Sequence, residues 1–126
     1  TPPVQIIYAL KEAIEETLAE TVKLRHKRYK ENCEALRKGM KDLGMKQYID
    51  DENSSIIITS FDKINHPNYN FDEMHDFLKN KGFTIYPGKI SNAQMFRLSN
   101  IGTLTTKDIK DFLTVFKEYL DFLETF

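Results

Sequence analysis

Few residues in this chain can do chemistry, and their spacing narrows them further. The one cysteine, Cys33, and the three histidines, His26, His66 and His75, are scattered rather than set at the short steps a metal site needs. No metal ligands are expected. Cys33 falls on the apolar stripe of a predicted helix, where a buried thiol is a commoner outcome than a nucleophile. No G-x-G-x-x-G, G-x-x-x-x-G-K-S/T, H-E-x-x-H or C-x-x-C string occurs, so no phosphate-cradling loop, zinc helix or redox pair is encoded. The chain is expected to hold no catalytic residues of its own.

Arg97 departs from this plain pattern. It stands inside Met95-Phe96-Arg97-Leu98, an apolar segment that reads as a strand, and a guanidinium held rigidly there calls for an anion. Its planar fork can grip a carboxylate, phosphonate or phosphate with two parallel hydrogen bonds, which a lysine cannot imitate. Two readings stay open from the residues alone: an anion clamp for a ligand, and an edge-strand arginine paired with an Asp or Glu of the same domain. Pro87-Gly88-Lys89 and Asn100-Ile101-Gly102 add two glycine turns nearby. They suit backbone passing close to a ligand, and ordinary turn chemistry equally.

The elements that position these residues follow from hydrophobic spacing. From Val4 to Leu43 apolar residues recur at helical steps (Ile7, Leu10, Ile14, Leu18, then Val22, Tyr29, Cys33, Leu36, Met40), predicting a long helix, or two joined near Thr17 to Thr21, stopped at Gly44. The run from Ser55 to Phe61 reads as a strand buried on both faces and central in its sheet. Asn70 caps a short helix ending at Gly82. Phe83 to Tyr86 and Gln94 to Ser99 read as two more strands, separated by a Pro87-Gly88 turn and a polar loop. Thr105 to Asp108 resembles a capping box opening a last helix with Ile109, Phe112, Phe116, Tyr119 or Leu120, and Leu123 on one stripe. The expected fold class is α+β: a two-layer sandwich in which helices cover one face of a small, mostly antiparallel sheet.

Composition bounds the rest. The 126 residues, 18 of them basic and 19 acidic, suit one domain over residues 1–126 with no field to attract nucleic acid. No apolar run approaches the ~20 residues a bilayer span needs. The start at Thr1-Pro2-Pro3-Val4 has neither an initiator methionine nor the layout of a signal peptide, so the natural chain is expected to begin upstream, in a reducing cytoplasm.

Several strings together resemble a known family: Thr1-Pro2-Pro3-Val4-Gln5, Arg25-His26-Lys27-Arg28-Tyr29, Ile57-Ile58-Thr59-Ser60-Phe61, Gly82 to Lys89, and Phe96 to Gly102. They are similar to the class V, fold-type I aminotransferases, and within these to the 2-aminoethylphosphonate:pyruvate aminotransferases, over the C-terminal third or so of such an enzyme. The resemblance implies a homodimer that uses pyridoxal phosphate to move the amino group of 2-aminoethylphosphonate to pyruvate. The Schiff-base lysine would lie in a large domain upstream of Thr1, so the isolated chain should be inactive. By the same resemblance Arg97 would bind the anionic end of the substrate. Thr1 would reach the cofactor phosphate of the neighbouring subunit. One position departs from the family pattern: Ser99 stands where a glycine is usual, which loosens the assignment of the substrate. An independent small-anion-binding module, and an oligomerisation domain built on the Val4 to Leu43 helix, are the alternatives.

Overall fold

The computed structural model describes residues 1–90 and 93–125, residues 89, 90, 93 and 94 by backbone alone. Helices α1 (Val4–Glu20) and α2 (Val22–Asp42) come first, then a single 3-10 turn (Asp51–Asn53) and strand β1 (Ile58–Asp62). Helix α3 (Phe71–Asn80), strands β2 (Tyr86–Ile90) and β3 (Ala93–Ser99), and helix α4 (Thr106–Leu123) complete the chain. The strands form one antiparallel sheet in the order β1-β3-β2. This is the mixed α+β architecture that the spacing predicts.

Each helix stops and starts for a local reason. The long helical stretch breaks at Thr21, whose φ of 68° lies in a region that β-branched residues rarely adopt. Its side chain accepts a hydrogen bond from the Leu24 amide and so opens α2. Gly44 ends α2 and Gly82 follows α3, both at positive φ. Asn70 accepts from the Asp72 and Glu73 amides at the start of α3. In α4 the Thr105 side chain and the Asp108 carboxylate satisfy each other's backbone amides, a complete capping box.

The core lies between one face of the sheet and helices α2, α3 and α4. Phe96 stacks on Phe61 at 5.7 Å and on Phe116 at 6.0 Å between ring centroids, joining β3, β1 and α4 through offset aromatic contacts. Leu36 and Met40 from α2, Met74 and Leu78 from α3, and Ile109, Phe112, Tyr119 and Leu123 from α4 are buried around them. Tyr119, rather than Leu120, takes the inward position on α4.

Three strand expectations need correction. The run ending at Phe61 is not central: β1 is an edge strand whose outer side, among the described residues, meets the Gln47–Phe61 bridge and two bonds, Tyr48 N–H to the Ser60 carbonyl and Asp62 N–H to the Lys46 carbonyl, each 2.9 Å. It alternates, with Thr59 and Phe61 buried and Ile58 exposed, so its continuous β-branched run overstated burial on the outer face. Pro87 and Gly88 are not a turn but lie within β2, where Pro87 pairs with Phe96. An edge strand tolerates proline because one side of it makes no ladder. Phe83 enters no ladder because its amide bonds the Leu78 carbonyl at 2.9 Å, completing the α3 C-terminus. The polar loop expected before β3 includes Ser91 and Asn92, which lie outside the described residues.

Candidate functional site: the open face of the sheet

Alternation along β3 decides where Arg97 goes. Phe96 and Leu98 point into the core, so Met95, Arg97 and Ser99 share the opposite face. On that face Ser60 of β1 and Tyr86 of β2 pair with Arg97 from either side, forming a row across the sheet. Arg97 and Tyr86 are exposed and Ser60 is half-buried. Met95 is buried in the neighbouring row, over Gly88, where an added Cβ would stand 2.4 Å from its Cγ. The face therefore has an apolar floor beside an open, polar row.

The Arg97 guanidinium is anchored but not consumed. One Nη2–H donates to the Pro87 carbonyl at 3.2 Å, which leaves four of its five donors without a protein partner among the described residues. No carboxylate of the described residues forms an ion pair with it, so the structural ion-pair alternative finds no partner there. Ser99, the residue in place of a family glycine, donates its hydroxyl to the Ile57 carbonyl at 3.1 Å. That bond ties it back to the approach of β1 rather than toward Arg97.

Behind Arg97, the loop that follows β3 is fastened to α2 by residues whose part sequence reasoning missed. Asn100 is fully buried and donates to the Tyr29 and Ile56 carbonyls, both at 3.1 Å. Asn32, also buried, donates to the Leu104 carbonyl at 2.7 Å. Arg28 donates to the Gly102 carbonyl at 2.6 Å, and Gly102 sits at a φ of 100° that suits glycine alone. The signal was present: Arg28, Asn100 and Gly102 all fall in the strings that carry the family resemblance.

Arg28 also reaches toward α1. It and Arg25 bond the Glu20 carboxylate at 2.7 Å and 2.6 Å. The hydrogen bonds from Arg28 and then Arg25 hold the Glu20 carboxyl down at about 2. The charge cluster thus fixes the elbow between α1 and α2, while Thr1 lies at the far end of a 17-residue helix that spans about 25 Å. Thr1 is exposed and makes no hydrogen bond to other described residues. The fold does not gather Thr1 and Arg97 into one site.

Other candidates are inert. Cys33 is buried, and burial pushes its thiol up from the usual range, the opposite of an activated nucleophile. A groove of about 910 Å³ beside α2 is lined by Lys30, Lys38 and Lys41. Its most buried cation, Arg37, is already bonded to Asp51, Thr59 and the Ser55 carbonyl. Among the described residues no group of His, Cys, Asp and Glu is placed to hold a metal, and no helix is long and apolar enough to cross a membrane.

Solved structures carry the same fold. The alanine–glyoxylate aminotransferase of Nostoc sp. superposes with a TM-score of 0.85 at 20% identity, over 95% of this chain and 32% of that one. The ureidoglycine–glyoxylate aminotransferase of Bacillus subtilis gives 0.78 at 22%, over 90% and 30%. The fold is thus one that class V aminotransferases carry over about a third of their length. No family model matches the chain. Its sequence, however, is 41% identical over 118 residues to the 2-aminoethylphosphonate–pyruvate transaminases of Salmonella paratyphi B and Salmonella heidelberg, covering 93% of this chain and 32% of each relative. The chain is homologous to the C-terminal part of these transaminases and spans about a third of their length.

Proposed function

We propose that this chain is the substrate-gripping part of a pyridoxal-phosphate-dependent transaminase that moves the amino group of 2-aminoethylphosphonate to pyruvate, with Arg97 binding the phosphonate. The observation that carries the reading is the guanidinium itself: presented on the open sheet face, anchored by one bond to Pro87 and paired with no carboxylate of the described residues. Such a fork is set to receive a doubly hydrogen-bonded anion. The exposed apolar stripe of α1, including Ile7, Leu10, Ile14 and Leu18, supports the same reading, because it offers a surface for the larger remainder of an enzyme about three times as long. On this reading the enzyme is a cytoplasmic homodimer, and the 126 residues alone are inactive.

Pyridoxal phosphate, when bound in such an enzyme, supplies an electron sink. By the family resemblance Thr1 would reach the cofactor phosphate of the neighbouring subunit, and in this chain Thr1 is exposed.

The test is amino transfer from 2-aminoethylphosphonate to pyruvate by the protein translated from the complete reading frame that carries these residues. Arg97→Ala should lower kcat/KM by roughly thirtyfold or more, about 2 kcal/mol, the loss of a charge-assisted bidentate pair. A change within about twofold would remove Arg97 from the site. Phosphonate binding without any transfer by that complete protein would favour the independent anion-binding module.

A further inference from the structure

The row across the open face says which anion Arg97 is built to receive, an inference that rests on the anion-site reading above. Register pairs Arg97 with Tyr86 on one side and Ser60 on the other, and such cross-strand partners hold their Cβ atoms about 4.5–5.5 Å apart on the same face. The three side chains differ in height. A tyrosine hydroxyl stands about as far from its backbone as a guanidinium does, whereas a serine hydroxyl stays down at the sheet. Tyr86 is 63% exposed, and neither its hydroxyl nor that of Ser60 has a hydrogen-bond partner among the described residues. The bond from Arg97 Nη2 to the Pro87 carbonyl leans the guanidinium toward β2, the strand that carries Tyr86. Register therefore sets two long polar side chains on neighbouring strands, Arg97 and Tyr86, beside the short Ser60.

The shape of the anion then matters. A carboxylate is planar and has two oxygens, both of which the guanidinium fork can satisfy within its own plane. A phosphonate or phosphate monoester is tetrahedral and has three. With two oxygens on the fork, the third lies out of that plane and needs another donor. We propose that the Tyr86 hydroxyl is that third donor, and that it makes the open face selective for a three-oxygen tetrahedral anion over a carboxylate. Ser60 contributes room rather than a contact.

The experiment titrates the 126-residue chain with three amines that differ in their acid group: 2-aminoethylphosphonate, O-phosphoethanolamine and 3-aminopropanoate. Binding is followed through the NMR signals of the Arg97 guanidinium and the Tyr86 amide. The two tetrahedral anions should bind about tenfold more tightly than 3-aminopropanoate, the size of one hydrogen bond to a charged group. Tyr86→Phe, which removes one oxygen from an exposed ring, should bring the three within about twofold without weakening 3-aminopropanoate. Ser60→Ala should leave the tenfold ratio intact. O-phosphoethanolamine should match the phosphonate, because both present the three-oxygen head; if it binds as weakly as 3-aminopropanoate, the third-oxygen role of Tyr86 is overturned. A Tyr86→Phe chain that keeps the full preference, while Arg97→Ala loses all three ligands, overturns the role of Tyr86 alone. Unchanged binding in Arg97→Ala overturns the anion-site reading; no movement of either signal in the wild type overturns the role of Tyr86, while the amino-transfer assay of the complete protein decides the transaminase reading separately.

Discussion

Helices α1 and α4 are close in length, 17 and 18 residues, and both carry an apolar stripe, yet they end in opposite environments. α4 buries Ile109, Phe112, Phe116, Tyr119 and Leu123, while none of the residues of α1 is buried. The difference lies in what faces them. The α4 stripe is largely aromatic and meets Phe96 on the sheet, with a capping box fixing where the helix starts. α1 begins after Pro3 with no side-chain cap, and it is held at its other end by Thr21 and by Glu20 between two arginines. Apolar periodicity therefore says that a face is made for burial; it does not say what covers it.

The sharpest way to break this contrast is at the centre of the α4 stripe. Phe116 is fully buried between Phe96 and Phe112, so Phe116→Ala removes a ring that nothing nearby can replace. A loss of about 3–5 kcal/mol is expected, a large share of the total stability of a domain of this size. Urea denaturation followed by circular dichroism measures it. A loss below about 1 kcal/mol would mean that α4 is not the packed helix of the pair.

The same contrast explains what could be read in advance. The capping box at Thr105 and the stripe to Leu123 were legible because local chemistry and burial agree there. The break was legible only as a region, Thr17 to Thr21, because the apolar steps run on from Leu18 to Val22 without a change of phase. The place of β1 was not, because strand order depends on which strands meet in three dimensions, and a β-branched run looks the same at an edge as at the centre. Proline and glycine at 87 and 88 signalled a turn, whereas the edge position of β2 admits both. Arg97 was conspicuous as a charge within apolar sequence. Its neighbours Tyr86 and Ser60 were invisible, since they become neighbours only through the β1-β3-β2 register.

A subtler effect is expected at the elbow. The carboxyl of Glu20 is held at about 2, well below its ordinary 4.5. A depressed folded-state value stabilises the arrangement fully above the unfolded value, and that contribution fades as pH falls from about 4.5 through about 2. The elbow should thus stay closed at pH 5 and loosen toward pH 2; the Asp108 carboxyl of the α4 capping box is lowered too, by its bonds from Thr105, so the start of α4 weakens in the same direction while its aromatic core does not titrate. Carboxyl NMR titration of Glu20 should give a midpoint near 2, moving upward in Arg28→Gln, whose hydrogen bonds are the largest cause of the depression. A midpoint at the ordinary value would leave α1 held by the backbone of Thr21 alone.

The smallest effect is expected on the stripe of α1 itself, where the contrast is most exposed to refutation. Ile14 lies mid-helix and is 48% exposed, with Leu10 and Leu18 on the same side at 58% and 72%. Serine and isoleucine have similar helix propensities, so Ile14→Ser changes little besides apolar surface already in contact with water. The stability of the chain should shift by less than about 0.5 kcal/mol, against the several lost at Phe116. The same substitution should reduce binding of a hydrophobic dye, because the stripe is the longest run of exposed apolar side chains on any helix described. If Ile14→Ser instead costs more than about 1 kcal/mol, the stripe is covered within this chain, and the two helices differ in partner rather than in burial.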